Sequence, residues 1–153
     1  MKYLFSFLAA LVMLFVTPAF AVNGAGGSKF VQEYVYDFAV HGGAVGFISL
    51  KNPANALPSG AVVTAAHYVV LTAFTSGGSA TVALGDAASG ARYKSATAFD
   101  NSAYTANTPA ALSSGIPALV SSANIANVGI TVATAALTAG KMRIVVEGYV
   151  PKQ

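Results

Sequence analysis

The residues able to do chemistry are few. His41 and His67 are the only imidazoles in the sequence. A zinc site built on them needs a further ligand, and Asp37 and Asp86 are the acids that would supply it. His41 falls at a predicted turn and His67 in mid-strand among Ala and Tyr, positions that suit ordinary packing. No metal site is expected from them. Asp86, Asp100 and Asn101 carry hard oxygen donors of the kind that hold Ca²⁺ in a loop. Asp and Asn in loops more commonly close Asx-turns on their own backbone, so no cofactor is expected. The acids are Glu33, Asp37, Asp86, Asp100 and Glu147. Glycoside hydrolysis needs two of them flanking a cleft. Glu33 and Asp37 share a face of a regular strand, where exposed acids near Lys29 are the simpler reading.

Nucleophilic chemistry fares no better. No serine sits in the G-x-S-x-G turn of a hydrolase elbow. The chain has no cysteine, which removes thiolate catalysis and thiolate metal ligands. Gly24-Ala25-Gly26-Gly27 is glycine-rich but opens no helix, so it is not a phosphate loop. The expectation is a protein that is not an enzyme. Of the tyrosines Tyr34, Tyr36, Tyr68, Tyr93, Tyr104 and Tyr149, core packing accounts for at least half. Aromatics are also enriched at binding surfaces. The loop residues Asp100, Asn101 and Tyr104 are therefore the candidate binding site, with a glycan as the ligand class.

The elements that must position these residues read as strands. Leu57 to Asp86 has turn chemistry at Pro58-Ser59-Gly60, a run rich in Val, Thr and Tyr, a break at Thr75-Ser76-Gly77-Gly78, and a second run from Ser79 to Leu84. Two such runs joined by a glycine turn predict a β-hairpin. Phe30 to Val40 alternates with Tyr34, Tyr36, Phe38 and Val40 on one parity, which predicts a strand with one buried face. Gly42-Gly43 then predicts a hairpin to a partner at Val45–Lys51. Ala91–Phe99 reads equally as strand or helix. Thr108 to Leu112 predicts one helical turn, with Thr108 as cap and Pro109 at the first position. Gly115–Val120 predicts a short edge segment. Val128, Ile130 and Val132 alternate in the stretch from Asn127 to Ala135. Leu137–Lys141 predicts a turn. In the last strand Met142, Ile144 and Val146 share one face, and Arg143, Val145, Glu147 and Tyr149 the other. The fold class is all-β: a jelly-roll-like antiparallel β-sandwich of about seven or eight strands.

The 153-residue chain divides into a leader, an arm and one domain. Lys2, an apolar run to Val16, and Ala19-Phe20-Ala21 form the pattern of a secretory signal peptide over 1–21. The apolar run is shorter than the ~20 residues that span a bilayer, so no stable membrane insertion is expected after cleavage. Residues 22–29 predict a flexible glycine-rich arm, and 30–153 a single domain. The address is exported: periplasmic, extracellular, or on a cell or virion surface. Charged residues make up 8% of the chain, against about 25% in an ordinary soluble domain. The net charge is +3 with the basic residues scattered, which excludes the clustered footprint of a nucleic-acid binder. A surface with so little charge favours association with copies of itself.

The segments Asn52–Val63, Leu71–Val82 and Leu137–Tyr149 resemble segments of small bacteriophage virion structural proteins. The resemblance implies a β-rich, jelly-roll-like fold that assembles on capsids or tails. Together these readings give a secreted, non-enzymatic structural protein that forms a homo-oligomer or a surface lattice. A secreted adhesin-like or carbohydrate-binding sandwich is the alternative, and a secreted hydrolase ranks last.

Overall fold

The computed structural model describes residues 27–50, 56–107, 109–112, 116–121 and 126–152. The predicted leader and residues 22–26 of the arm lie outside them. Ser28 and Lys29, assigned above to the arm, instead open the first strand, and Gly27 lies against Val150.

Nine strands form among the described residues: β1 (Ser28–Asp37), β2 (Gly46–Ser49), β3 (Val62–Ser76), β4 (Thr81–Asp86), β5 (Ser89–Ala98), β6 (Pro109–Leu112), β7 (Ala118–Leu119), β8 (Val128–Ala133) and β9 (Leu137–Val150). One sheet has the order β1-β9-β3-β6, with β7 also pairing β3; the other has the order β2-β8-β4-β5. All pairings are antiparallel. The protein is thus an antiparallel β-sandwich of jelly-roll type. The two short strands β6 and β7 carry the count past the seven or eight expected.

Period two builds the core. Successive side chains on a strand point to opposite faces, so Met142, Ile144 and Val146 of β9 enter the core together. Tyr34 and Tyr36 of β1, Val63, Tyr68 and Val70 of β3, Val82 and Leu84 of β4, and Val128, Ile130 and Val132 of β8 join them in one cluster fed by both sheets. Gly140 is required where it stands. Its φ is 142°, and a side chain there would meet the Phe74 ring at 2.5 Å. That glycine lies inside β9, so the predicted turn at Leu137–Lys141 is instead the beginning of the strand. The turn comes earlier, around Thr134 with its φ of 70°.

Both predicted glycine hairpins are arches between sheets. β1 ends at Asp37, short of Val40, because the Asp37 side chain accepts from the Ala39 amide and starts the four-residue helical turn α1 (Phe38–His41). Gly42 closes that turn at a φ of 70°, and β2 then joins β8 in the opposite sheet. β3 and β4 are likewise not partners. Both edges of β3 are taken by β9 and by β6 and β7, so the chain crosses over after Ser76 and β4 pairs β8 and β5. Among the described residues the only consecutive strands that pair with each other are β4 and β5. The ambiguous stretch Ala91–Phe99 supplies the second strand of that hairpin, β5.

The predicted helical turn at 108–112 is also replaced. Pro109–Leu112 is β6, in register with β3 from Val69↔Pro109 to Ala66↔Leu112. Proline is tolerated because β6 is an edge strand and Pro109 is its first residue. The helical turn forms upstream at Ser102–Tyr104 as a 3-10 turn capped by the Asn101 side chain. Thr108 lies outside the described residues.

Two outcomes follow from this placement. Ile144→Ala removes fully buried side-chain volume and is expected to lower unfolding free energy by about 2–5 kcal/mol in urea melts. Val40→Ala, at a residue 75% exposed, should change it by less than about 0.5 kcal/mol. The second concerns Asp37. The hydrogen bond from Lys141, 2.9 Å away, and then the Ala39 amide hold its carboxyl below the usual carboxylate range. A depressed folded-state value means the contribution is present above the unfolded pKa of about 4 and is lost as pH falls through the folded value. Stability measured from pH 6 down to pH 2 should therefore fall less steeply in Asp37→Asn than in the parent.

Candidate interaction surface

The residues singled out for chemistry disperse into structural roles. The Tyr104 ring is 1% exposed. Its hydroxyl donates to the Val82 carbonyl at 2.7 Å, and its ring meets Phe74 edge-on at 5.4 Å and Tyr68 at 6.2 Å. Burial pushes the phenol upward, away from ionisation. Asn101 is spent on capping, accepting from the Ala103 amide at 3.0 Å. Asp100 is exposed in the preceding turn. The loop therefore offers no aromatic platform at Tyr104.

Asp86 is the one buried charged side chain among the described residues. Its Oδ1 accepts from the amides of Ala88 and Ser89 at 2.9 and 2.8 Å, and Arg92 closes on Oδ2. This is an Asx-turn that folds the β4–β5 hairpin, with an ion pair locking its base. The Arg92 guanidinium is raised by that hydrogen bond. His41 lies 3.1 Å from the Asp37 carbonyl through Nδ1 and stacks on Tyr36. Among the described residues no three His, Cys, Asp or Glu side chains gather as they would around a metal.

What gathers instead is a surface. The outward positions of β1, β9 and β3 lie in rows set by their register: Lys29–Tyr149–Val62, Val31–Glu147–Ala65, Glu33–Val145–His67 and Val35–Arg143–Val69. Charged and apolar residues alternate across these rows. Diagonal contacts tie the strands together: the Arg143–Glu33 ion pair at 3.0 Å, and His67 Nδ1 beside the Glu147 carboxylate at 3.8 Å. Carboxylates so engaged fix strand positions and are poorly placed to act on a substrate. Two of the apolar residues are left largely to solvent, Val31 at 66% and Leu119 at 57% exposure, and Leu119 extends the first row beyond Val62. An open groove of about 390 Å³ runs between Lys29, Val31, Thr64, Glu147 and Tyr149 at this end of the sheet. Sequence reading placed Arg143, Val145, Glu147 and Tyr149 together on one face, but not the β1 and β3 residues beside them. Their juxtaposition depends on pairing between strands far apart in the chain.

Chains of the same fold occur in phage capsids. The chain is similar to a chain in the capsid asymmetric unit of cyanophage Pam1, with a TM-score of 0.61 and 26% identity over 84% of this chain and 89% of that one. It also matches a chain in the capsid of Ralstonia phage GP4, with a TM-score of 0.52 and 18% identity over 84% and 87% of the two chains. The second is a likeness of fold alone. No protein-family model and no curated protein sequence matches the chain. The resemblance to phage virion structural proteins therefore holds in the fold.

If Tyr104 serves packing, Tyr104→Phe strands the Val82 carbonyl and lowers stability by about 1–2 kcal/mol in denaturant melts. A tyrosine kept for a ligand would lose its hydroxyl with no such cost.

Proposed function

We propose that this protein is a non-enzymatic structural component of a phage particle, exported by its leader or displayed on a particle or cell surface, where it associates with copies of itself. The observation that carries the reading is the likeness to a Pam1 capsid chain across most of both chains. Two features support it. The chain is poor in charge, so electrostatic repulsion does little to keep copies apart. The outer face of the β1-β9-β3 sheet pairs Arg143 with Glu33 and leaves Val31 exposed.

Particles purified from cells producing the protein test it. Mass spectrometry of washed particles is expected to find the chain in a fixed ratio to the major shell protein, with Val22 as its first residue. A chain absent from particles and recovered only free in the medium would overturn the virion role. A retained Met1 would overturn the export step.

A further inference from the structure

The edge of β1 away from β9 carries a self-complementary pattern. On one side β1 pairs β9 without a register break from Ser28↔Val150 to Asp37↔Lys141. On the other it pairs with no described strand. Natural proteins usually guard such an edge with charged side chains, proline, a bulge, an inward-pointing charge, extreme shortness or a covering loop. Of these β1 itself carries only charged side chains, Lys29, Glu33 and Asp37, whose charges are of both signs. β1 has no proline and no bulge, is ten residues long, and turns tyrosines inward at positions 34 and 36. Its outward residues begin Lys29, Val31, Glu33.

Read antiparallel against itself, that triplet is its own complement. With Val31 opposite Val31 of a second copy, Lys29 stands opposite Glu33 and Glu33 opposite Lys29. Residues directly opposite in an antiparallel pair project to the same face, so all three contacts fall on the outer surface described above. Other registers are worse. A slip that puts Lys29 opposite Val35 sets Val31 against Glu33. A further slip sets Glu33 against Glu33, and like charges directly opposite are destabilising. Glu33 also holds Arg143 of its own chain, so this pairing extends an existing charge network.

We infer that two copies of this chain join edge to edge through antiparallel β1 strands, with the two-fold axis at Val31 and Lys29–Glu33 contacts on either side. The contact fuses the β1-bearing sheets of two copies into one continuous sheet. It buries the most exposed apolar side chain of the strand, Val31, and brings the grooves beside Tyr149 near one another. The inference rests on the structural reading proposed above and names the partner and the surface.

The chain has no cysteine, so a single introduced thiol can form a disulfide only with another molecule. In the proposed register two Val31→Cys thiols face each other at cross-strand distance, within reach of a disulfide. Val40→Cys is the control. Val40 is more exposed than Val31 but follows the end of β1, which lies about 20 Å along the strand from the axis. Under mild oxidation the full chain carrying Val31→Cys is expected to form disulfide dimers at least tenfold faster than Val40→Cys. Adding Lys29→Glu to Val31→Cys should slow the reaction several-fold, and high salt should narrow that gap. Equal rates for the two thiols, or a Val31→Cys rate indifferent to Lys29→Glu, would overturn the contact. Particle incorporation is scored separately on the same proteins. Incorporation with equal cross-linking rates defeats the edge contact and leaves the virion role standing. Fast Val31→Cys cross-linking in a chain absent from particles supports the contact and defeats the virion role.

Discussion

The structure depends on the two-residue rhythm of β9. This strand has β1 on one side and β3 on the other, so its inward face reaches the centre of the core and its outward face organises the exposed sheet. Met142, Ile144 and Val146 are fully buried, while Arg143 and Lys141 hold Glu33 and Asp37 of β1. A slip of one residue would exchange these two sets, placing cations in the core and aliphatic side chains in water. The apolar positions of β9 thus set the register of its neighbours, and the diagonal ion pairs follow from that register.

Much of this was legible in the residues. Period-two alternation located β1, β8 and most of β9, and the regular spacing of glycine-rich turns indicated an all-β chain. The misreadings share one cause. A Gly-Gly turn states that the chain reverses, but not whether the next strand lies beside the last or across the core from it. Gly42-Gly43 and Gly77-Gly78 each supported a hairpin locally, and each proved an arch: β2 pairs β8 in the opposite sheet, and both sides of β3 are taken by strands from elsewhere in the chain. Pro109 was misread for a related reason. It suits a helix start as well as an edge-strand start, and only the presence of β3 decides between them.

The candidate site was less legible than the fold. Asp100, Asn101 and Tyr104 form a polar-aromatic cluster in sequence, yet Tyr104 turns inward and Asn101 caps its own backbone. Composition cannot distinguish an aromatic kept for a ligand from one holding two sheets together. Asp86 carried a better signal than it first seemed: an acid before Ala-Ala-Ser-Gly, followed by Arg92, is the wording of an Asx-turn with a basic residue to neutralise it. The mixed charged and apolar surface of the first sheet was invisible for a plainer reason. Its rows join residues near both ends of the chain with others from the middle, and no local window contains them.

The pairing of β1 with β9 has a temporal side. Ser28 finds its partner at Val150, nearly the whole length of the domain away. Such distant contacts must meet the entropy of closing a long loop before they return any stabilisation, and folds dominated by them assemble slowly. During synthesis β1 emerges early and waits while every other strand is made. The last strand is the clasp: until it leaves the ribosome, the first sheet lacks the member that joins its two halves. Completion of the fold therefore waits for β9, and a nascent copy that has not yet released this strand cannot present the finished surface to its neighbours.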